Sequence, residues 1–178
     1  MASFQKSFND VYEMQPDQLQ LGFLKVLKGS PLYGKVAEFG IVYQSAAPYE
    51  VLYNKWISYG EFLELKQVEE MVERFYNSMQ FQAVITYLVW QVGDAFAFYD
   101  MLGKYFKEKG YLGLQQSRLQ NYEILYEFCE CAGSRLFCQS KINGKLLQEL
   151  FLFDLYAREN LKKEPKFLGN RIWRPEQK

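Results

Sequence analysis

The sequence predicts a mainly α protein, a bundle of four or more helices with a small N-terminal β element. Three observations predict this class. From residue 58 onward, apolar residues recur at three- and four-residue spacing, the period of a helix with one buried face. The first 57 residues instead hold short apolar runs bounded by glycine and proline, which is typical of strands and turns. Hydrophobic residues make up 49% of the 178 positions, which is enough for a packed core.

The N-terminal region is predicted to begin with a short helix and a strand. Ser3 to Met14 places apolar side chains on one helix face, and Pro16 ends that helix. Leu19 to Leu27 is short, apolar and followed by Gly29, which suits a strand buried on both faces. Periodicity alone leaves a helix open for that run.

A short helix and a hairpin are predicted next. Ser30 and Pro31 give the cap and the first turn of the helix. Two short runs, Ile41–Tyr43 and Tyr49–Tyr53, flank Pro48 and predict a small hairpin. A helix, one buried strand and a hairpin do not close a sheet, so this region has the pattern of a piece of something larger.

Four helical stretches are predicted from Ser58 onward. Ser58 and Glu61 form an S-x-x-E capping box at the start of the first stretch. The second runs from about Phe81 to Phe106 and contains Gly93, which marks either a kink or a close helix crossing. The last two fall within residues 115–155. Seven residues of these stretches are expected in the core: Leu65, Val72, Ile85, Leu88, Val92, Leu125 and Leu150.

Charge and residue types exclude several classes of function. The 21 basic and 21 acidic residues give no net charge, so neither nucleic acid nor a membrane surface is expected as the main partner. The chain has no histidine, which removes the commonest general base, the commonest metal ligand and every His-containing triad. An odd count of three cysteines without an apparent signal peptide favours a reducing, cytoplasmic location.

An uncharged run of 19 residues, Phe75 to Gly93, raises the question of a membrane span. The run contains six polar side chains and is followed at once by Asp94. A spanning helix needs about 20 predominantly apolar residues. We therefore expect a buried helix of a globular protein.

Thiols and carboxylates are candidate metal ligands. Cys129, Cys131 and Cys138 have no fourth ligand nearby, so half-buried helical thiols are favoured over a metal or redox group. The carboxylates within Glu69–Glu73 suggest a di-iron site, but such sites use Glu-x-x-His pairs. A solvated helix face is the favoured interpretation, and neither a catalytic nor a metal-ligating residue is assigned.

Buried acids and tyrosines are further candidates. Asp94 and Asp154 each lie in strongly apolar sequence, where an acid either pairs with a buried arginine or tyrosine or contacts a ligand; pairing is favoured. The basic tail from Glu159, with Trp173, is a docking segment, an RNA-binding arm or disordered chain, and disorder is favoured. Five tyrosines either line a ligand pocket or lie in the core with their hydroxyls at its rim, and the core is favoured: Tyr87, Tyr99, Tyr105, Tyr122 and Tyr126.

Three stretches resemble a known family. The first stretch, Ser7–Leu32, reads SFNDVYEMQPDQLQLGFLKVLKGSPL and resembles the last helix–strand step of a radical S-adenosylmethionine barrel. Its G-S-P stands where such proteins have G-T-P. The C-terminal helical domain of unknown function in cobalamin-binding radical SAM proteins resembles Ala37–Ser78, AEFGIVYQSAAPYEVLYNKWISYGEFLELKQVEEMVERFYNS. The closing helix of that family is similar to Phe153–Phe167, FDLYARENLKKEPKF. Such proteins are often labelled anaerobic magnesium-protoporphyrin IX monomethyl ester oxidative cyclases.

The resemblance implies a parent enzyme that binds a 4Fe–4S cluster, S-adenosylmethionine and cobalamin. None of these is expected in this chain, because the cluster needs C-x-x-x-C-x-x-C and the chain offers C-x-C-x6-C. In the parent, Lys25, Val26 and Leu27 are implied to lie near the adenine of S-adenosylmethionine. The implied interface with the rest of the parent consists of Leu19, Leu21, Phe23, Gly29, Ser30 and Pro31.

The resemblance also implies a domain organisation. Residues 1–36 are the end of the barrel, 37–57 a hairpin linker, 58–160 the helical bundle and 161–178 a polar tail. An orphan barrel strand at Leu19–Leu27 either folds back onto the hairpin or, as we expect, pairs with the same strand of a second copy in a homodimer.

Three functions remain open from the sequence. The leading one is an accessory domain that packs on a radical SAM barrel and shapes its substrate side without chemistry of its own. The alternative is a stand-alone helical module that binds a ligand or dimerises. An independent enzyme is disfavoured because histidine and catalytic motifs are missing.

Overall fold

The computed structural model describes residues 1–132, 143–158 and 165–168 and shows a mainly α protein. A two-stranded antiparallel sheet forms the β element. The helices and strands are α1 Ala2–Glu13, β1 Val42–Tyr43, β2 Val51–Tyr53, α2 Tyr59–Met71, α3 Gln82–Val92, α4 Ala95–Glu108, α5 Arg118–Ala132 and α6 Gly144–Arg158. A π-helix, Val72–Asn77, continues α2, and two 3₁₀ turns cover Tyr33–Lys35 and Lys166–Leu168.

Helix α4 lies at the centre of the bundle. It packs against α1, α2 and α3, and α3 packs in turn on α6. One continuous core results, in which aromatic rings meet edge to face, such as Phe98 with Tyr99 at 5.2 Å between ring centroids. Helices α4 and α2 cross closely at Gly103, where a Cβ atom would lie 3.1 Å from the Cβ of Gln67 on α2. Glycine at this position lets the two helices approach.

The predicted core is largely the observed one. Leu65, Val72, Ile85, Leu88 and Leu125 are buried. The prediction is wrong in degree for the other two, because Val92 and Leu150 are only partly buried against the core.

The start of α2 confirms the predicted capping box. The Ser58 hydroxyl accepts a hydrogen bond from the Glu61 amide at 3.3 Å, and the Glu61 carboxylate accepts one from the Ser58 amide at 2.8 Å. These bonds lower the pKa of Glu61. The bundle therefore begins where the sequence indicates.

The second predicted stretch is two helices, which corrects both interpretations of Gly93. Gly93 has φ of 75° and ends α3 as a left-handed cap, and α4 begins two residues later. Asp94 is the N-cap of α4, where its carboxylate accepts a hydrogen bond from the Ala97 amide at 2.8 Å. The side chain is exposed, so the predicted pairing with a buried arginine or tyrosine is also corrected.

Helix α1 belongs to the bundle. Phe8 is buried against Phe96 and Tyr99 of α4, and Phe4 packs edge to face on Phe96. The Asn9 side chain accepts a hydrogen bond from the Phe96 amide at 2.8 Å, which satisfies a free donor in the first turn of α4. The first helix is therefore fixed to the centre of the molecule.

The predicted strand Leu19–Leu27 is not a strand. Only Lys25 forms a β-bridge, with Glu50, and two backbone hydrogen bonds of 2.9 Å flank it. The Val26 amide donates to the Tyr49 carbonyl, and the Val51 amide donates to the Leu24 carbonyl. The part of the segment from Leu24 to Val26 thus pairs with the hairpin of its own chain. The expected homodimer stays a prediction.

The hairpin itself is confirmed, with β1 and β2 on either side of the Ala47–Pro48 cis peptide. A second, small core lies beneath it and consists of Val26, Ile41, Val51 and Phe62. Phe62 belongs to α2, so this small core ties the hairpin to the bundle.

The uncharged run Phe75–Gly93 is divided among the end of the π-helix, a turn and α3. Within the described ranges, no helix has both the length and the apolarity that crossing a membrane requires.

Candidate functional site

The residues implied to lie near S-adenosylmethionine are placed at the hairpin. Val26 is 1% exposed, and its amide donates to the Tyr49 carbonyl. The Val26 side chain is therefore packed inside the chain, and its amide already has a hydrogen-bond acceptor. Lys25 and Leu27 are exposed on either side of it. Their predicted role in a parent enzyme stays a prediction.

An open pocket of about 380 Å³ adjoins this segment. Its walls are the rings of Tyr33, Tyr43 and Tyr49 with Val26, and Lys28 and Ser45 supply the polar groups. The lining contains no carboxylate and no thiol. The pocket can bind through ring contacts, hydroxyls and one ammonium group, but it lacks a nucleophile paired with a base.

The implied interface residues are placed in two settings. Leu19 is buried in the bundle core, where the Asn77 side chain bonds to both its amide, at 2.9 Å, and its carbonyl, at 3.1 Å. Leu21 and Phe23 are partly buried, and the Phe23 ring lies 5.1 Å from that of Phe62. The Gly29–Pro31 turn is held by the Ser30 amide, which donates to the Leu27 carbonyl at 3.1 Å. The apolar interface side chains are thus largely used inside the chain.

Other apolar side chains in the same region are exposed, and the sequence pattern did not indicate them. Of the sixteen large hydrophobic side chains that are exposed in the described part of the chain, eight lie between residues 24 and 63. Trp56 is 60% exposed and Leu24 is 58% exposed. The signal that could have found them is the density of aromatic and aliphatic residues around the hairpin. We call this group the exposed apolar set: Leu24, Leu27, Tyr33, Val42, Tyr53, Trp56, Tyr59 and Leu63.

Asp154 is the buried acid of the bundle, at 5% exposure. Its carboxylate accepts hydrogen bonds from the Ala83 amide at 3.1 Å and from the Val84 amide at 2.9 Å. It caps α3 from α6, so the predicted arginine or tyrosine partner is replaced by two backbone amides. Burial raises the pKa of Asp154, and the two amides and Arg158 oppose that rise.

The five predicted tyrosines belong mostly to the core and its hydrogen bonds, and one of them borders a groove. Tyr99 is fully buried, and the hydroxyl of Tyr122 donates to the Gln80 carbonyl at 2.7 Å. The Tyr105 hydroxyl donates to Glu127, and burial raises the pKa of Tyr105. Tyr126 borders an open groove of about 640 Å³ between α5 and the Lys166–Leu168 turn. Tyr87 accepts a hydrogen bond from the amide that precedes α6.

The thiols and the glutamates do not form a metal centre in the described residues. Cys129 is buried and burial raises its pKa, whereas Cys131 is exposed. Cys138 lies outside the described residues, as does the tail that contains Trp173. Glu70 pairs with Arg74 at 2.7 Å and accepts from the Gly113 amide. The described cysteines therefore do not fit the three thiolates that a 4Fe–4S cluster requires.

Comparison with known proteins gives one family. A family model described as a protein of unknown function (DUF4080) matches residues 37–178. No curated protein and no solved structure matches the chain. The match contains the hairpin and the whole bundle from α2 onward, and residues 1–36 lie outside it.

Proposed function

The chain belongs to the DUF4080 family, and we propose that it serves as the accessory C-terminal helical domain of a cobalamin-binding radical SAM enzyme. The parent is of the kind labelled magnesium-protoporphyrin monomethyl ester oxidative cyclase. The bundle packs on the barrel and shapes its substrate side, and the reacting groups belong to the parent. The resemblance of Ser7–Leu32 to the end of a barrel supports this parentage. So does the start of the family match at residue 37, separated from the end of that stretch by four residues.

The observation that carries the proposal is the exposed apolar set. Half of the exposed large hydrophobic side chains of the described residues lie within residues 24–63, which follow and overlap the barrel-like stretch. Leu27 and Trp56 each leave more than half of their surface in water. Covering a large apolar side chain is worth roughly 1.5–3 kcal/mol. A barrel docked at this place in the chain would cover the exposed apolar set.

The way residues 1–36 pack supports a fixed orientation of the bundle. Phe8 and Leu19, both outside the family match, are buried in the same core as α4. If these residues are the end of a barrel, the bundle shares a core with the barrel's last helix. A rigid connection of this kind suits a domain that shapes one side of an active site.

The first test is the mass of the native protein. Antibodies raised against this chain should isolate a polypeptide much larger than 21.1 kDa, the mass of the chain itself. Prepared without oxygen, that polypeptide should absorb near about 400 nm through its cluster. The separately expressed chain should stay colourless after treatment with iron and sulfide. A native polypeptide of 21.1 kDa would contradict the proposal.

The second test concerns the exposed apolar set. Amide hydrogen exchange in residues 24–63 should be slower in the native protein than in the separate chain, because the barrel covers them. Trp56→Gln should loosen this protection. The matched control is Trp90→Gln, since Trp90 is 74% exposed on α3 and lies outside the set. Equal exchange in both proteins would remove the docking role.

A second candidate is a stand-alone helical module that binds a ligand or dimerises. The pocket of about 380 Å³ with its three tyrosines favours it. The native mass separates the two candidates, because a stand-alone module has the mass of this chain.

A further inference from the structure

A further, smaller pocket is lined by none of the residues of the exposed apolar set. It has a volume of about 190 Å³ and lies between the end of α1, the π-helix and the first turns of α3. We call it the Asp17 pocket, after the carboxylate at its rim. Its volume is below the roughly 300–1,000 Å³ of pockets for drug-sized ligands, so its ligand must be small.

The electrostatics of the Asp17 pocket favour a cation. Asp17 forms no ion pair with any described lysine or arginine. The C-terminal ends of α1 and of the π-helix face the same space, and helix C-termini carry partial negative charge. The N-terminus of α3, the one positive helix end there, is already compensated by Asp154. Arg158 reaches the π-helix end only at the Met79 carbonyl, at 3.1 Å, and does not line the pocket.

Aromatic rings supply the second element of a cation site. Tyr12 and Tyr76 line the pocket with their ring centroids 5.3 Å apart, and Phe75 lies beside them. Burial, followed by the charge of Asp17, raises the pKa of Tyr76, and its hydroxyl donates to the Pro16 carbonyl at 2.6 Å. Ring faces next to a carboxylate attract an ammonium group through the ring quadrupole.

The backbone around the pocket is unusual in the same place. Gln15 and Met79 have φ of 48° and 58°, at the ends of α1 and of the π-helix. Glycine is the common residue in this left-handed conformation after a helix, because any other side chain is strained in it by about 1 kcal/mol or more. Both side chains form pocket walls. The π-helix, a rare element often found at functional sites, supplies Phe75 and Tyr76.

We propose that the Asp17 pocket binds a small primary amine in its ammonium form. The ammonium group pairs with the Asp17 carboxylate and lies against the rings of Tyr12 and Tyr76. The short apolar body of the amine contacts Met79 and Ile85. The proposal does not depend on the parentage argued above, because every group that it uses is in this chain.

The test is an amide NMR titration of the full chain at neutral pH with isoamylamine and its uncharged isostere isoamyl alcohol. The amine should shift the signals of Gln15, Asp17 and Thr86, and it should bind about fivefold more tightly than the alcohol. Asp17→Asn should abolish that preference. The matched control is Glu13→Gln, because Glu13 is an exposed carboxylate at the end of α1 that does not line the pocket.

A second variant tests the cavity itself. Thr86 is exposed at the pocket wall, so Thr86→Phe should fill the space and weaken both ligands, with circular dichroism verifying the fold. Equal affinity for amine and alcohol in the unaltered chain would overturn the proposal. Absent shifts, shifts confined to other parts of the bundle, or an unchanged preference in Asp17→Asn would overturn it as well.

Discussion

The helical bundle and the hairpin region, residues 20–57, treat their apolar side chains differently. Of the described residues, twenty-seven are buried in the core of the bundle, from Phe8 in α1 to Leu168 in the last 3₁₀ turn. The hairpin region rests on a core of four buried residues and leaves Leu24, Leu27 and Trp56 more than half exposed. The bundle therefore has one large core. The hairpin region has a small core and leaves much of its apolar surface in water.

The largest expected effect sharpens this comparison inside the bundle. Leu88 is completely buried on α3, so Leu88→Ala should lower the free energy of unfolding by about 2–5 kcal/mol. Leu150 is only partly buried, and Leu150→Ala should cost less than Leu88→Ala. Urea unfolding followed by circular dichroism measures both variants. A loss below about 1 kcal/mol for Leu88→Ala would mean that Leu88 does not lie in a tightly packed core.

The next effect concerns the buried cap of α3. Asp154→Ala leaves the Ala83 and Val84 amides without their acceptor and should cost about 2–3 kcal/mol. Asp154→Asn keeps one acceptor oxygen and nearly the same shape, so it should cost less. Urea unfolding of the three proteins at neutral pH gives the comparison. An Asp154→Ala variant as stable as the unaltered chain would remove Asp154 from the bundle's stabilising contacts.

The same residue predicts a pH dependence. Because burial raises the pKa of Asp154 above its ordinary 3.8, the folded chain holds the proton more readily than the unfolded chain does. The part of the stability that is linked to this proton is therefore fully present below pH 3.8 and is lost as pH rises through the folded pKa, whereas the two amide hydrogen bonds to the carboxylate persist. The stability difference between the unaltered chain and Asp154→Asn should fall as pH rises above 3.8. A difference that grows over this range would contradict the raised pKa.

The smallest expected effect comes from the same valine-to-alanine substitution made in each of the two cores. Val68 is completely buried in the bundle, and Val26 is 1% exposed in the small core. Val68→Ala should cost about 2 kcal/mol, whereas Val26→Ala should cost about 1 kcal/mol because a four-residue core collapses around the lost methyl groups. The same urea measurements decide it. Equal losses would show that the hairpin region is packed as firmly as the bundle, and the contrast between the two regions would disappear.

The bundle was largely predictable because its signals are local. The apolar period of α2 and the Ser58–Glu61 capping box concern residues that touch within one or two turns. The same holds for α1, which the sequence placed within one residue of its observed bounds. The candidate site was less predictable. The exposed apolar set and the Asp17 pocket join residues from separate elements, and no local pattern reports on such contacts.

The sequence by itself determined the mainly α class, the hairpin around Pro48 and the absence of histidine chemistry. Only the tertiary structure decided that Gly93 separates two helices and that Gly103 marks the close crossing with α2. It also decided that Asp154 caps α3 from a distance of about seventy residues along the chain. It paired Leu24–Val26 with the hairpin and placed Leu19 in the bundle core, where the sequence predicted one strand. The physical reason is that backbone periods and caps follow from neighbouring residues, whereas burial and long-range hydrogen bonds depend on which elements meet.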